Sequence, residues 1–374
     1  MSTQIESNGP PQIFDPDSAS NKAVAEYLAK RCATFVRLEA ARKKGWADPE
    51  GDKYWQIRHE QADKATGHQP DNERAGAFWE MTKQIAQEMQ EKTRAMTPGH
   101  LGAEIFQSLD LCMAPGGFTW GAKEYNTSDA VAYGITLASE EGGHRNFYED
   151  AIVKFMDITM LAGEAGVDDI PQTHPDHSLF TANRPFLDQR FQLIFCGGAV
   201  LRTQQRSEHR RDYERSRLTT SQLILAMQRI LPGGTMVVLL RRPDAWDVLR
   251  LLHQFNAFAE IQLFKPSRKH AVRSTFYLVA KNVQSDCGTA RAALEEWKQR
   301  WNRSTFGGDA GTGEKDPEAD AEEVQNVLDG FGPRLIKLAT HVWRIQADAL
   351  DKQDFKEVTG RTRKKQFYWP ERRN

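Results

Sequence analysis

This 374-residue sequence has little cysteine, no long apolar run and almost no net charge. Its four cysteines, Cys32, Cys112, Cys196 and Cys287, lie far apart with no C-x-x-C pair. That excludes a disulfide framework and a zinc module of the usual spacing, and no metal is expected. Reduced thiols suit cytoplasm or nucleus. No apolar stretch approaches the ~20 residues a membrane-spanning helix needs, so no membrane contact is expected. Fifty Lys and Arg stand against 51 Asp and Glu. A chain basic throughout is excluded, and any nucleic-acid contact must use local basic patches. The opening "MSTQIESNGPPQIFDPDS" is polar and partly acidic, unlike a secretory or transit peptide. Internal repeats are absent. Two nucleotide-binding signatures are missing as well. Without G-x-x-x-x-G-K-[ST] a triphosphate lacks its lysine and its magnesium-ligating hydroxyl, and without G-x-G-x-x-G the dinucleotide fingerprint is gone.

What is present is a core-forming, soluble composition, 39% hydrophobic and 27% charged. Residues 1–20 read as disordered, and 21–98 as a helical extension. Within it, 21–44 repeats apolar residues at helical spacing (Val24, Leu28, Cys32, Phe35, Leu38). A polar connection then leads to a second helix near 73–96. From 99 to 285 the pattern changes to alternating strands and helices. Strands are predicted at 105–112, 130–137, 151–156, 191–197, 234–240, 258–264 and 274–281, with helices at 217–231 and 244–255. This predicts an α/β fold of Rossmann-like type, a mostly parallel seven-stranded sheet. The last two strands leave no room for a crossover helix and should pair antiparallel. Segment 162–190 reads as a polar excursion. Residues 286–353 read as C-terminal helices (288–302 and 331–352) around an acidic flexible linker, 304–322, followed by a basic tail, 354–374.

The stretch "FQSLDLCMAPGGFTWG" (106–121) is strand, glycine turn, helix. Such a turn sits at the C-terminal edge of a parallel sheet, where these sheets bind ligands. Gly116 and Gly117 would let backbone approach a ligand, and the following helix offers N–H groups to an anion. Ala114-Pro115-Gly116-Gly117 after an acid suits S-adenosylmethionine (SAM): its carboxylate would meet turn amides and its ammonium Asp110. The plainer alternative is a turn whose glycines serve close packing.

"LDLCMAPGGFT" resembles the first motif of the FtsJ/RrmJ-like methyltransferases, and the similarity runs over about 100–283, nearest to a fungal branch. The resemblance implies SAM contacts at Asp110, Cys112, Ala114, Pro115, Gly116, Gly117 and Phe118. It implies a ribose contact near Thr136 and Leu137, an adenine contact at Asp157 and Ile158, and the fourth-strand position at Gly197. "ILPGGTMVVLL" and "LFKPSRKHAVRSTFYLVAK" resemble the family's fifth strand and terminal hairpin. The family's ribose 2′-O-methyltransferases use a Lys-Asp-Lys-Glu tetrad. Here its Asp position is Gly197, its second Lys Leu239 and its Glu Thr275; its first Lys is matched weakly by Lys83. Glycine and leucine cannot exchange protons, so no catalytic residue is assigned.

Arg241, Asp244, Lys265 and His270 lie near the same sheet edge as substitutes. Lys265, Arg268, Lys269 and Arg273 of "KPSRKHAVR" are candidate substrate contacts. "LRTQQRSEHRRDYERSR" (201–217) reads as a phosphate grip or as a solvated helix with pairs such as Arg210–Glu214. The tail "RTRKKQFYW" reads as a nucleic-acid contact or a solvated terminus. "DDIPQTHPDH" reads as a polar loop. Two functions stay open: a SAM-dependent methyltransferase, with RNA the substrate class implied by resemblance, and a catalytically silent domain that binds SAM or a protein partner.

Overall fold

Apolar residues stand at successive positions along the central strands, and successive side chains point to opposite faces, so such a strand buries both. On the fourth, Leu193 and Phe195 join Ile85, Met89 and Ala122 in one core, while Ile194 and Cys196 join a larger core on the other side. A sheet buried on both faces needs helices above and below. The computed structural model, which describes residues 14–67, 70–99, 101–204 and 206–353, has that arrangement.

Before the sheet come α1 (Ala19–Arg31), α2 (Ala33–Trp46), α3 (Pro49–Asp63) and α4 (Asn72–Thr93). Then follow β1 (Gln107–Leu111), α5 (Gly117–Glu124), β2 (Val131–Thr136), β3 (Ile152–Phe155), α6 (Ala162–Ala165) and β4 (Phe191–Cys196). The second half runs α7 (Glu214–Arg229), β5 (Ile230–Arg241), α8 (Trp246–Asn256), β6 (Glu260–Phe264) and β7 (Thr275–Val283). Helices α9 (Gly288–Phe306) and α10 (Ala321–Asp351) complete the described chain. The sheet order is β3-β2-β1-β4-β5-β7-β6. β1 to β5 pair in parallel, and β7 lies antiparallel between β5 and β6. This is the expected mostly parallel, Rossmann-like sheet with its antiparallel last strand. β1 is central, so its C-terminal turn opens at the middle of the edge.

The helices correct several expectations. The single helix over 21–44 is two helices, broken at Cys32, whose backbone is extended (φ −139°, ψ 97°). All five predicted apolar positions are nevertheless buried, so the face was legible and the break was not. The polar connection contains α3, capped by Asp48 with Pro49 at its first position. Only Gly51 and Tyr54 of α3 are buried, too few to show periodicity. Helix α10 starts ten residues before the predicted 331, and Pro333 lies inside it. The acidic stretch 307–320 has neither helix nor strand, yet Asp316 pairs with Arg300 and Arg303, and Glu318 accepts bonds from Ser20. The expected disorder of 1–20 falls mostly on residues outside the described ones; Ser18 caps α1. The tail 354–374 also lies outside them. Among the described residues no helix is long and apolar enough to cross a membrane.

Candidate functional site

The β1 turn is built by its own side chains. Asp110 is 2% exposed, and Thr119 Oγ1 donates to its Oδ2 at 2.8 Å. Burial pushes this carboxyl up to about 8, partly opposed by the side-chain and backbone bonds from Thr119. Asp110 therefore ties the end of β1 to the first turn of α5. Cys112 follows with φ 64°, an uncommon conformation for a residue with a Cβ. Its thiol is pushed up to about 12 by burial, and by Asp110 and Asp157. The Ala114 N–H donates to Thr136 Oγ1 at 3.3 Å, and a cis peptide joins Ala114 to Pro115. Phe118 stacks on Phe195 and meets Tyr277 edge-on, with ring centres 5.5 and 5.6 Å apart.

Both turn glycines face protein. At Gly116 (φ 100°) a Cβ would meet Tyr148 Cβ at 2.7 Å and Asn146 Oδ1 at 3.1 Å. At Gly117 it would meet Thr82 Oγ1 at 2.2 Å and the Lys83 backbone N at 2.7 Å, so this glycine lets α5 approach α4. The loop after β2 lies over the turn. The Phe147 N–H donates to the Pro115 carbonyl at 3.1 Å, and Trp79 stacks against Phe147. The same loop is stitched to the N-terminal helices and to the loop after β4. Thr66 bridges to His144, and Thr203 Oγ1 lies 2.8 Å from Thr66 Oγ1 and donates to the Gly142 carbonyl.

Asp157 stands where β3 ends. Its Oδ1 accepts from the Thr159 N–H and hydroxyl, and its Oδ2 pairs with Arg210 at 3.0 Å. Ile158 beside it is buried. Arg210 is itself buried and held by Glu214 at 2.8 Å. The predicted Arg210–Glu214 pair exists, but inside the fold: Arg210, Glu214 and Arg217 are all buried, so this part of the arginine-rich stretch is no solvated surface. In the polar loop 168–177, His174 and Asp176 are buried and bonded to each other, with His209 on Asp176 at 2.9 Å. Among the described residues no cluster fits a metal ion.

The other half of the edge belongs to β4, β5 and β7. Beside Gly197 there is open space. Leu239 and Tyr277 lie opposite each other in the β5–β7 pairing. Lys83 pairs with Glu80 at 3.3 Å and lies over the rings of Trp79 and Trp120. Among the substitutes, Asp244 is buried between Arg42 and Arg242. Lys265 is buried too, and its ammonium donates to the carbonyls of His270, Arg273 and Thr275. Burial, with Arg42 and Arg273 nearby, pulls it down to about 7, while the three carbonyls favour its charged form. His270 is pulled down to about 3 by burial and then by Arg273, Lys265, Arg58 and Arg241. Arg268 is exposed and reaches Glu91 at 3.6 Å, and Lys269 is exposed. Arg241 and Arg273 are half-buried at the edge. Trp79, Tyr148 and Arg58 were not placed at this edge from sequence, whereas Arg210 belongs to the arginine-rich stretch that was.

The sequence matches the FtsJ-like methyltransferase family over residues 86–283. No curated protein matches it. Among solved structures, TrmN from Thermus thermophilus is similar at 12% identity and a TM-score of 0.29, covering 53% of this chain and 48% of that one. The N-methyltransferase NodS from Bradyrhizobium japonicum WM9 gives 12% and 0.31, covering 52% and 96%. Human methyltransferase-like protein 13, solved in complex with SAH, gives 10% and 0.33, covering 65% and 99%.

Proposed function

Because this chain belongs to the FtsJ-like methyltransferase family, we propose that it binds SAM at the β1 turn and methylates an acceptor that needs no lysine base. The observation that carries this is the open space beside Gly197, next to an apolar wall of Phe118, Phe195 and Tyr277. An acceptor reaching that space meets no proton-exchanging group at the positions now held by Gly197, Leu239 and Thr275. Proximity to a sulfonium methyl is enough for an acceptor that is already nucleophilic.

The donor set fits SAM in kind. Amides at the start of α5 suit a carboxylate, and the Asp157 carboxylate suits an adenine amine. SAM supplies an electrophilic methyl group; the protein's part is to position the acceptor and exclude water. Two contacts stand on that route, Tyr148 against Gly116 and Arg210 on Asp157. Binding requires the Arg210–Asp157 pair to exchange for a ligand contact, and Glu214 keeps Arg210 compensated meanwhile. RNA as the acceptor rests on resemblance alone. The same two contacts favour a second reading, a domain that has closed its cofactor turn and serves a protein partner.

Calorimetric titration with SAM and with its demethylated product separates the two. Micromolar binding that falls about tenfold or more in Asp157→Ala supports the first reading. Absence of binding to the wild-type protein would sink it. Gly117→Arg, the obvious loop variant, is uninformative because Gly117 packs on Thr82.

A further inference from the structure

Three arginines converge on one part of the sheet edge with no carboxylate paired to them. Arg241 is the last residue of β5, opposite Thr275 of β7. Arg273 stands two positions before Thr275, in a turn held by its own N–H bond to the His270 carbonyl and by the Lys265 ammonium. Arg58 lies on α3. That helix is drawn to this edge by Arg202, from the loop after β4, which pairs with Asp63 at 2.8 Å and donates to the His59 carbonyl. The groups lie close enough to feel one another. Burial lowers Arg273, and Arg58, Arg241 and Arg202 lower it further.

Three other enclosed arginines are treated differently. Arg42, Arg210 and Arg229 each have a carboxylate within 3.0 Å. Among the described residues none forms an ion pair with Arg58, Arg241 or Arg273. Holding like charges together in a partly desolvated place works against folding. Such groups are common where a ligand supplies the missing charge. Guanidinium forks match phosphate oxygens two at a time, which a lysine cannot do.

We propose that Arg58, Arg241 and Arg273, with Arg202 at the rim, form a seat for a compact oligophosphate group at the C-terminal edge of β5. The ligand is compact because the arginines converge, whereas an extended basic track is interrupted by Asp63 beside Arg202 and Glu91 beside Arg268. The seat uses no residue of the β1 turn, so it does not depend on the methyl-transfer reading.

The probe is inorganic triphosphate, titrated at low salt into the full chain without SAM. Binding should weaken with salt. It should fall at least about tenfold in Arg241→Gln/Arg273→Gln, which removes two phosphate forks. Arg58→Ala, on an exposed helix position, should weaken it severalfold without any question of misfolding, while Arg291→Gln on α9 should change nothing. Without ligand, the double variant should melt no lower than the wild type, because repulsion is relieved. Failure of the wild type to bind overturns the seat, as does binding indifferent to Arg241, Arg273 and Arg58. A 5′-hydroxyl RNA oligonucleotide that binds through the same arginines more tightly than triphosphate would overturn the compact ligand in favour of a polymer backbone.

Discussion

At the scale of residues, two glycines at the same sheet edge do unlike work. Gly117 is needed because α4 leaves no room for a methyl group, and Gly197 borders empty space. Gly117→Ala should therefore cost about 1–3 kcal/mol as the helices are forced apart. Gly197→Ala should stay within about 0.5 kcal/mol of the wild type. Denaturant unfolding measures both. The second substitution also narrows the proposed acceptor space, so methyl transfer should fall while stability holds. Undiminished transfer would mean the acceptor lies elsewhere. Asp110 shows how far a motif can be read. Its presence at the end of β1 was legible, but the group it serves first is Thr119 of α5, a tertiary partner nine residues on.

At the scale of elements, the loop from Lys265 to Ser274 is held from both sides. Lys265 fills its inside with an ammonium, and Glu88 of α4 accepts from the Ser267 N–H and hydroxyl and from the Arg268 N–H. Glu88 is 3% exposed and its carboxylate accepts three bonds from this loop, so removing it should cost about 1–3 kcal/mol locally. In Glu88→Ala, amide hydrogen exchange at Ser267 and Arg268 should quicken at least tenfold, about the rate ratio that 1.4 kcal/mol gives, while β5 amides hold. Unchanged exchange would leave Lys265 as the loop's sole support. The strands were legible here because burial on both faces writes long apolar runs with turn signals between them. Helix ends were less so. Cys32 interrupts a periodic run with no glycine or proline to mark the break. The site's coverage by Tyr148 had no local signal, because it is made by a loop that meets the turn only in the folded sheet.

At the scale of the whole molecule, one buried ion cluster joins the flanking helices to the sheet. Asp244, just past β5, takes Arg42 of α2 at 3.0 Å and Arg242 at 2.7 Å, and accepts from Trp343 of α10. Arg42 in turn donates to Gln346 of α10. Burial alone would push the Asp244 carboxyl up; Arg42 and Arg242 outweigh it and hold it at about 2. Its ordinary value is close to 4, so the fold keeps it ionised through a range where the unfolded chain takes up a proton. The stabilisation is present in full above about pH 4 and is lost as pH falls towards 2. Asp244→Asn leaves Arg42 with Glu39 alone and should cost about 3 kcal/mol or more at neutral pH. Denaturation of both proteins at pH 7 and near pH 2.5 tests this, since the gap between them should shrink at the lower pH. A gap independent of pH would mean the loss comes from packing around Trp343. In that case the charges at this junction would be bystanders.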